Sequence, residues 1–579
     1  MAVAKSIAES IVDHLIQAGV ERVYGVVGDS LNPLVDAIRR SDGKIEWIHV
    51  RHEEAGAFAA SAEAQLTGKL ACCAGSCGPG HVHLINGLYD AHRSGAPVLA
   101  IAAHILSGEI GTAFFQETNP ERLFQECSHY CSTIASPQQM PRAIQIAMQE
   151  ALSKGGVSVL VLSGDVSAEK SPDGALSHPT FNPRPKIRPA DSEIDRLAAL
   201  IGESEKTTLF CGIGSADARD EVMALAEAIK APVGHSLRGK DSIQYDNPND
   251  VGMSGLLGYG ACYEAMHECD LLVLLGTDWP YENFYPTKCK IVQVDLRPER
   301  LGRRSRLDLG LCGDVGETIR ALLPKLAPKA DRSFLDKMLE SHADGLKKMR
   351  AYVDHVGTHR PMHPEYVGAV LNSVATEDAV FTIDTGMCNV WASRYLTATK
   401  GRRMIGSFVH GSMANAMPMA IGAQLAYPGR QVVAVCGDGG FTMLMGDLLT
   451  IAQYDLPIKL VIFNNSTLGM VRLEQQVAGF PYHGTEMKNP NFAALAEAVG
   501  IRGLRMEDPA NVQSGLRTAL EAPGAFLVDV VTDPGALSMP PKATFEQAKG
   551  FALSMGKMIL AGDGGEVIEE MKANVRNLL

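Results

Sequence analysis

The chain has 579 residues, too many for one hydrophobic core and enough for three or four domains. Its 53 Lys plus Arg against 66 Asp plus Glu give a net charge of −13 with no basic block, which argues against DNA or RNA as a partner. The N-terminal stretch has no apolar signal core, and no segment offers ~18 uninterrupted apolar residues, so a cytoplasmic start without a membrane span is expected.

Along the first part, helix and strand patterns alternate: an amphipathic helix at 6–17, a strand at 22–27, and apolar runs at 98–102 and 157–162. Such alternation predicts a parallel sheet with helices on both faces. Arg51-His52-Glu53-Glu54 follows a strand-like run at 45–50 and precedes an Ala-rich helix. A carboxylate held there can act as an acid–base group, or can simply sit against the positive end of the helix dipole. The 12 cysteines lie in apolar or small-residue runs and read as buried free thiols, and neither Cys73 with Cys77 nor Cys127 with Cys131 has zinc-knuckle spacing. A Pro-rich linker is expected at 172–189.

A second α/β unit follows, with strands at 208–211, 271–275 and 291–295, closed by a charged helix at 331–352. Cys211-Gly-Ile-Gly-Ser215 carries two of the three glycines of a dinucleotide fingerprint. Asp295, at a strand end, stands where a carboxylate binds an adenosine ribose hydroxyl, although an Asp there is also a common cap.

The third unit begins around His363-Pro364-Glu365, with strands at 380–383, 432–436, 460–463 and 526–531. Gly437-Asp438-Gly439 and Asn464-Asn465 each follow an apolar run. A carboxylate and a carboxamide at strand ends suit Mg²⁺ bridging to ligand phosphates. The 24 residues between Gly439 and Asn464 leave room for one crossover helix, which would bring Asp438 and Asn465 to one sheet edge. The first and third units match in size and strand content, and two sheets of one design would share a cleft. Beyond 538–541 a helical tail is expected. On a helical wheel Val567, Ile568, Met571, Val575, Leu578 and Leu579 fall within ~120°, with Glu566, Glu569, Glu570, Lys572, Arg576 and Asn577 opposite.

The Gly-Asp-Gly and Asn-Asn pair, Glu53 with its flanks, and Gly411-Ser412-Met413 together resemble the thiamine-diphosphate enzymes of the pyruvate oxidase and acetolactate synthase group, over essentially the whole length. Gly28-Asp-Ser-Leu-Asn32, Cys77-Gly-Pro-Gly80, Phe115-Gln-Glu-Thr118 and the Pro-Pro plus helical tail are most similar to its ubiquinone-dependent pyruvate-oxidising branch. The resemblance implies an α/β fold of three doubly wound parallel-sheet domains: pyrimidine-binding (1–185), FAD-binding (186–337) and diphosphate-binding (338–533), then a membrane-binding tail (534–579).

It also implies roles. Asp438, Asn465 and the Thr467 carbonyl would hold Mg²⁺ on the diphosphate, with Gly439, Gly440, Ser466, Leu468, Gly469, Met470 and Val471 around the cofactor. Met413, beside Gly411 and Ser412, would prop it in a bent shape, and Glu53 would hydrogen-bond its pyrimidine. Because Glu53 and Asp438 lie in different domains, and the family binds thiamine diphosphate between subunits, at least a dimer and by resemblance a homotetramer is implied. FAD would contact Ser254, Gly255, Leu256, Leu257, Thr277, Asp278, Trp279, Pro280, Tyr281 and Asp295. Phe115, Gln116, Met470 and Glu474 would serve the catalytic side, with Met470 standing where some relatives carry an aromatic. The implied reaction takes pyruvate to acetate and CO₂, passing electrons through FAD to ubiquinone or menaquinone on the inner face of the cell membrane, where the tail meets phospholipid. An acetolactate synthase-like carboligase with non-redox FAD and an oxygen-dependent pyruvate oxidase are the alternatives.

Overall fold

The computed structural model describes residues 5–172, 180–182, 184–354, 359–536 and 545–561, together with 565, 567, 568, 570 and 574. Three sheets organise them. The first contains β1 (Arg22–Gly25), β2 (Glu46–His49), β3 (Ala71–Gly75), β4 (Val98–His104), β5 (Tyr130–Ile134) and β6 (Val157–Ser163), in the order β2-β1-β3-β4-β6-β5. All its pairings are parallel, and β3, β4 and β6 are buried throughout, which is why they read as continuous apolar runs. The helix Ile7–Gln17 starts where Ser6 and Glu9 form a reciprocal capping box. The first strand is shorter than expected: β1 stops at Gly25, and Val27 beyond it is exposed.

The middle sheet comprises β7 (Thr207–Cys211), β8 (Val233–His235), β9 (Asp250–Met253), β10 (Tyr259–Gly260), β11 (Leu271–Leu275), β12 (Lys290–Asp295) and β13 (Leu309–Cys312). Its order is β10-β9-β8-β7-β11-β12-β13, with only the β9–β10 pair antiparallel. The chain winds outward in one direction from β7 through β8 and in the other from β11, so the β7/β11 junction is a switch point with a crevice at the strands' carboxyl ends. Separate apolar layers cover the two faces.

The third sheet holds β14 (Val380–Ile383), β15 (Arg403–Gly406), β16 (Val432–Gly437), β17 (Lys459–Asn464), β18 (Arg502–Met506) and β19 (Phe526–Val531), ordered β15-β14-β16-β17-β19-β18. Counted within the domain this is 2-1-3-4-6-5, the order of the first sheet, so the similarity of the two units extends to identical topology. One apolar layer runs continuously between them, including Tyr24, Phe58, Met417, Phe441 and Phe492. The Glu53–Thr67 and Ala416–Ala426 helices meet at its centre, where a Cβ on Gly422 would lie 2.0 Å from the Ala59 carbonyl oxygen. Backbones this close explain the small residues that fill both helices. The segment expected to hold one crossover helix instead holds two, Asp438–Met443 and Leu448–Gln453, joined by a 3₁₀ turn at Met445–Asp447.

After β19 the helix Phe545–Ala561 docks on the third domain, with Ser554 donating to the Phe480 carbonyl at 2.7 Å and Lys557 to the Gly479 carbonyl at 2.8 Å. Much of the 566–579 segment lies outside the described residues. Within it Val567 is buried and Ile568 is 55% exposed. Glu570, expected on the polar face, is buried and ion-paired with Arg472, because the tail turns this carboxylate onto the protein. No described helix is long and apolar enough to cross a membrane.

Candidate active site

The parallel register of β16 and β17 pairs Gly437 with Phe463, so the residues leaving the two strands meet at one edge. Asp438, the first residue of its helix, is 3% exposed. Its Oδ1 accepts from the Gly439 amide at 2.8 Å, and its Oδ2 accepts from the Ser466 amide at 2.6 Å and the Asn489 side chain at 2.8 Å. Ser466 turns into this position with φ 54°. The next amide, on Thr467, donates to Asn465 Oδ1 at 3.1 Å, and the Thr467 carbonyl accepts from Gly469 at 2.9 Å, which leaves it a second lone pair. Burial pushes the Asp438 carboxyl up to about 6 against the pull of these donors, and a cation beside it would reverse that. Hard oxygens on Asp438, Asn465 and the Thr467 backbone, carried on segments that leave the same sheet edge, suit Mg²⁺.

Around this cradle, a Cβ on Gly439 would meet Leu468 at 2.9 Å and the methyl groups of Met413 and Met487 at 3.4 Å, so Met413 does lie over the turn. A Cβ on Gly440 would fall 2.0 Å from Asp384 Oδ2. Gly411 is exposed at φ +77°, with open space where its side chain would be. Ser412 faces the first domain and accepts from Asn86 at 2.8 Å.

Glu53 heads its helix, 6% exposed. Its Oε2 lies 2.9 Å from His83 Nδ1, and since a carboxylate only accepts, the ring donates. His52 stacks on His83 with centroids 4.4 Å apart, and Glu53 Oε1 faces Gly80, 3.2 Å from where a Cβ would stand. Gln116, at φ 63°, accepts from the Cys77 thiol at 3.1 Å, while His81 Nε2 lies 2.6 Å from the Thr118 hydroxyl. Residues 77–80 and 115–118 therefore pack together beside Glu53, with Phe115 78% exposed. In-chain hydrogen bonds from this edge to the third domain run from the amides of Arg51 (2.8 Å) and His49 (2.7 Å) to Asp447 and Tyr454, and through Asn86, which donates to Glu54 at 2.7 Å and to Ser412 at 2.8 Å; among the described residues none joins Glu53 to Asp438 itself. Met470 and Val471 lie in the first turn of the Gly469–Val477 helix, the former half-buried and the latter exposed. Glu474, exposed on the same helix, faces the middle domain's Tyr281, whose phenol is held up by burial and then by that charge.

At the middle-domain crevice, Gly255 sits at φ +103° with its missing Cβ 2.7 Å from Trp279 Cζ2, and the buried Ser254 hydroxyl has no hydrogen-bond partner among the described residues. Thr277 is buried, and its carbonyl accepts from Gln293 at 3.1 Å. Leu256 and Tyr281 are partly open, Pro280 is exposed, and the Leu257 carbonyl accepts from Arg394 of the third domain at 3.4 Å. Asp278 is held by Arg303 and Arg304 at 3.2 and 3.1 Å, whereas Asp295 accepts from the Arg297 amide at 2.9 Å and is raised by burial. A partnerless buried hydroxyl beside a glycine seat on an indole fits a large aromatic cofactor such as FAD.

Sequence reasoning missed Asn489, Met487, His83 and Asp384. Asp384 follows β14 as Asp438 follows β16, so the same strand-end signal marked it, and burial pushes its carboxyl up to about 7. The other three lie in irregular loops or on a short helix, and no periodicity marks them.

Three family models match: thiamine pyrophosphate enzyme, N-terminal TPP binding domain, over residues 5–123; the central domain, over 194–322; and the C-terminal TPP binding domain, over 384–530. The chain is 36% identical over 554 residues to a putative thiamine pyrophosphate-containing protein, YdaP, of Bacillus subtilis, covering 96% of each. It is 30% identical over 496 residues to a pyruvate oxidase of Lactiplantibacillus plantarum (84% of this chain, 82% of that one). An acetolactate synthase large subunit of Parasynechococcus marenigrum is 30% identical over 548 residues (90% and 87%).

Proposed function

This chain belongs to the thiamine pyrophosphate enzyme family, and we propose that within it the protein oxidatively decarboxylates pyruvate to acetate and CO₂ and delivers the electrons to a membrane quinone. Bound thiamine diphosphate supplies the electron sink for decarboxylation, and FAD supplies the two-electron acceptor. Asp438, Asn465 and the Thr467 carbonyl would hold Mg²⁺ on the diphosphate, and Asn489 and the Ser466 amide orient Asp438. Met413 would pack against the bound cofactor, and Glu53, steadied by His83, would hydrogen-bond its pyrimidine. Phe115 and Gln116 border the pyruvate side, with Met470 and Glu474 opposite. The middle domain holds the flavin between Ser254–Leu257, Thr277–Tyr281 and Asp295. Among the described hydrogen bonds Glu53 and Asp438 share no partner, which supports a site completed by a second subunit, within a homotetramer.

The observation that carries the quinone-coupled reading is the tail, which presents Leu553 (51%), Ile559 (55%), Leu560 (89%) and Ile568 (55%) to solvent. A peripheral helix of this kind lets an enzyme work at the inner face of the cell membrane without its described helices crossing it. Anaerobic bleaching of the flavin by pyruvate, followed by its reoxidation with a quinone analogue in the presence and absence of liposomes, tests it. The acetolactate synthase relative supports a second reading, a carboligase with non-redox FAD. Acetolactate without bleaching would establish that one instead, and phosphate-dependent peroxide would indicate an oxygen-using oxidase.

A further inference from the structure

We propose that Cys269 and Cys289 form a redox-sensitive dithiol, which a peroxide converts to a disulfide closing the loop between them. Cys269 ends the Cys262–Glu268 helix just before β11, and Cys289 immediately precedes β12. The two strands are parallel neighbours with Leu271 opposite Lys290, and the Lys290 amide donates to the Asp270 carbonyl at 2.9 Å. Extending this register puts Cys289 opposite Asp270, one residue past Cys269, so the two cysteines stand diagonally at the same end of neighbouring strands ~4.8 Å apart. Both also pack on one apolar layer, with Met266, Leu272 and Ile291, so their side chains share a face.

The two thiols act on one another's ionisation, while the Cys269 thiol donates to the Met266 carbonyl at 3.1 Å. Each is the strongest influence on its neighbour's ionisation, which lowers Cys289 and raises Cys269. At every other cysteine whose ionisation is displaced, burial dominates. Cys289 is only partly buried, so the more acidic thiol is also the one an oxidant can reach, the combination that makes a cysteine reactive. The loop they bracket contains β11 and the 277–281 segment, with Trp279 and Tyr285 buried in the same layer.

In the first step the Cys289 thiolate attacks a peroxide oxygen. The O–O bond breaks, the departing hydroxide takes a proton to become water, and Cys289 is left as a sulfenic acid. The Cys269 sulfur then attacks the Cys289 sulfur, the S–O bond breaks, and a second water leaves with the Cys269 proton. Two thiols are oxidised and one hydrogen peroxide is reduced to two waters.

Full-length protein treated with hydrogen peroxide and digested without reductant should yield a Cys269–Cys289 cross-link, two hydrogens lighter than the reduced peptides and reversed by dithiothreitol. In Cys269→Ser the cross-link should vanish and Cys289 should proceed to sulfinic acid. Cys289→Ser, a change at a partly exposed site, should protect Cys269 and serves if the buried substitution prevents folding. Wild-type protein in which Cys289 becomes sulfinic while Cys269 stays alkylatable, in which another cysteine takes the cross-link, or in which neither thiol reacts would overturn the proposal.

Discussion

Asn489 donates its side-chain amide to Asp438 Oδ2 at 2.8 Å and also to Asn464 Oδ1 at 2.9 Å, tying a loop residue to both strand ends of the cradle. Partners that orient a ligating carboxylate matter nearly as much as the ligand itself. Asn489→Ala should therefore weaken Mg²⁺-dependent thiamine diphosphate binding by about tenfold or more, and Asp438→Ala should abolish it. Binding isotherms over a series of Mg²⁺ concentrations read this directly, and an isotherm unchanged in Asn489→Ala removes that residue from the cradle.

Glu53 has a single side-chain partner among the described hydrogen bonds, His83, and is otherwise enclosed. Glu53→Gln keeps the shape and loses the proton-sharing group, so cofactor affinity should persist while exchange of the thiazolium C2 proton slows by about a hundredfold or more. His83→Ala leaves the carboxylate in place but unsteadied, and a smaller loss is expected. Proton exchange measured by NMR decides both, and a wild-type rate in Glu53→Gln would refute the role.

His81 gives a pH dependence with a definite sign. Its Nδ1 lies 2.8 Å from the Ala103 carbonyl and must donate, so in the neutral ring Nε2 accepts from the Thr118 hydroxyl. Burial pulls the imidazole from 6.5 down to about 4. An unfolded chain binds this proton between those values and the folded one does not, so the stability contribution is full above pH 6.5 and is lost as pH falls towards 4, by about 3 kcal/mol at most. Protonation also removes the acceptor that holds Thr118. Hydrogen exchange of the 111–119 loop should accelerate below pH 5 (~one unit above the folded value), and His81→Gln should flatten both effects. A wild-type slope in that variant would show that another group titrates.

Most of the strands were legible because each is an apolar run buried on both faces, as in β14 and β19, whose ends agree with the sequence reading. Val27 was misassigned because the run of valines continues past Gly25 while the sheet does not. The shared 2-1-3-4-6-5 order was hidden, since strand order depends on crossovers that composition does not record. Asp438 stood out as a carboxylate after an apolar strand with an Asn pair at a set distance, whereas Glu53 after its strand was equally an ordinary helix start and gained its role only from the family resemblance. Asn489 and His83 did not stand out, because each acts through a contact between segments distant in sequence. Glu570 misled for a related reason: a helical wheel sorts side chains by angle but carries no information on the charge of the surface they meet.

That surface is Arg472. Its guanidinium lies 3.0 Å from Glu570 and 3.9 Å from the centre of the Tyr482 ring, while Gln476 donates to both Glu570 oxygens at 2.8 and 3.0 Å. Both charges are buried, so removing one partner leaves the other uncompensated, at a cost of ~3–5 kcal/mol, whereas replacing both with apolar groups is close to neutral. Because the tail can detach rather than bear that cost, Glu570→Ala should appear as faster proteolysis around Lys549 and Lys557, and Arg472→Leu with Glu570→Leu should restore protection. Equal cleavage of Glu570→Ala and wild type would mean that the pair does not hold the tail. Deleting 566–579 should leave pyruvate-dependent dye reduction intact while weakening liposome binding, and undiminished sedimentation with lipid would dismiss the membrane role of this segment.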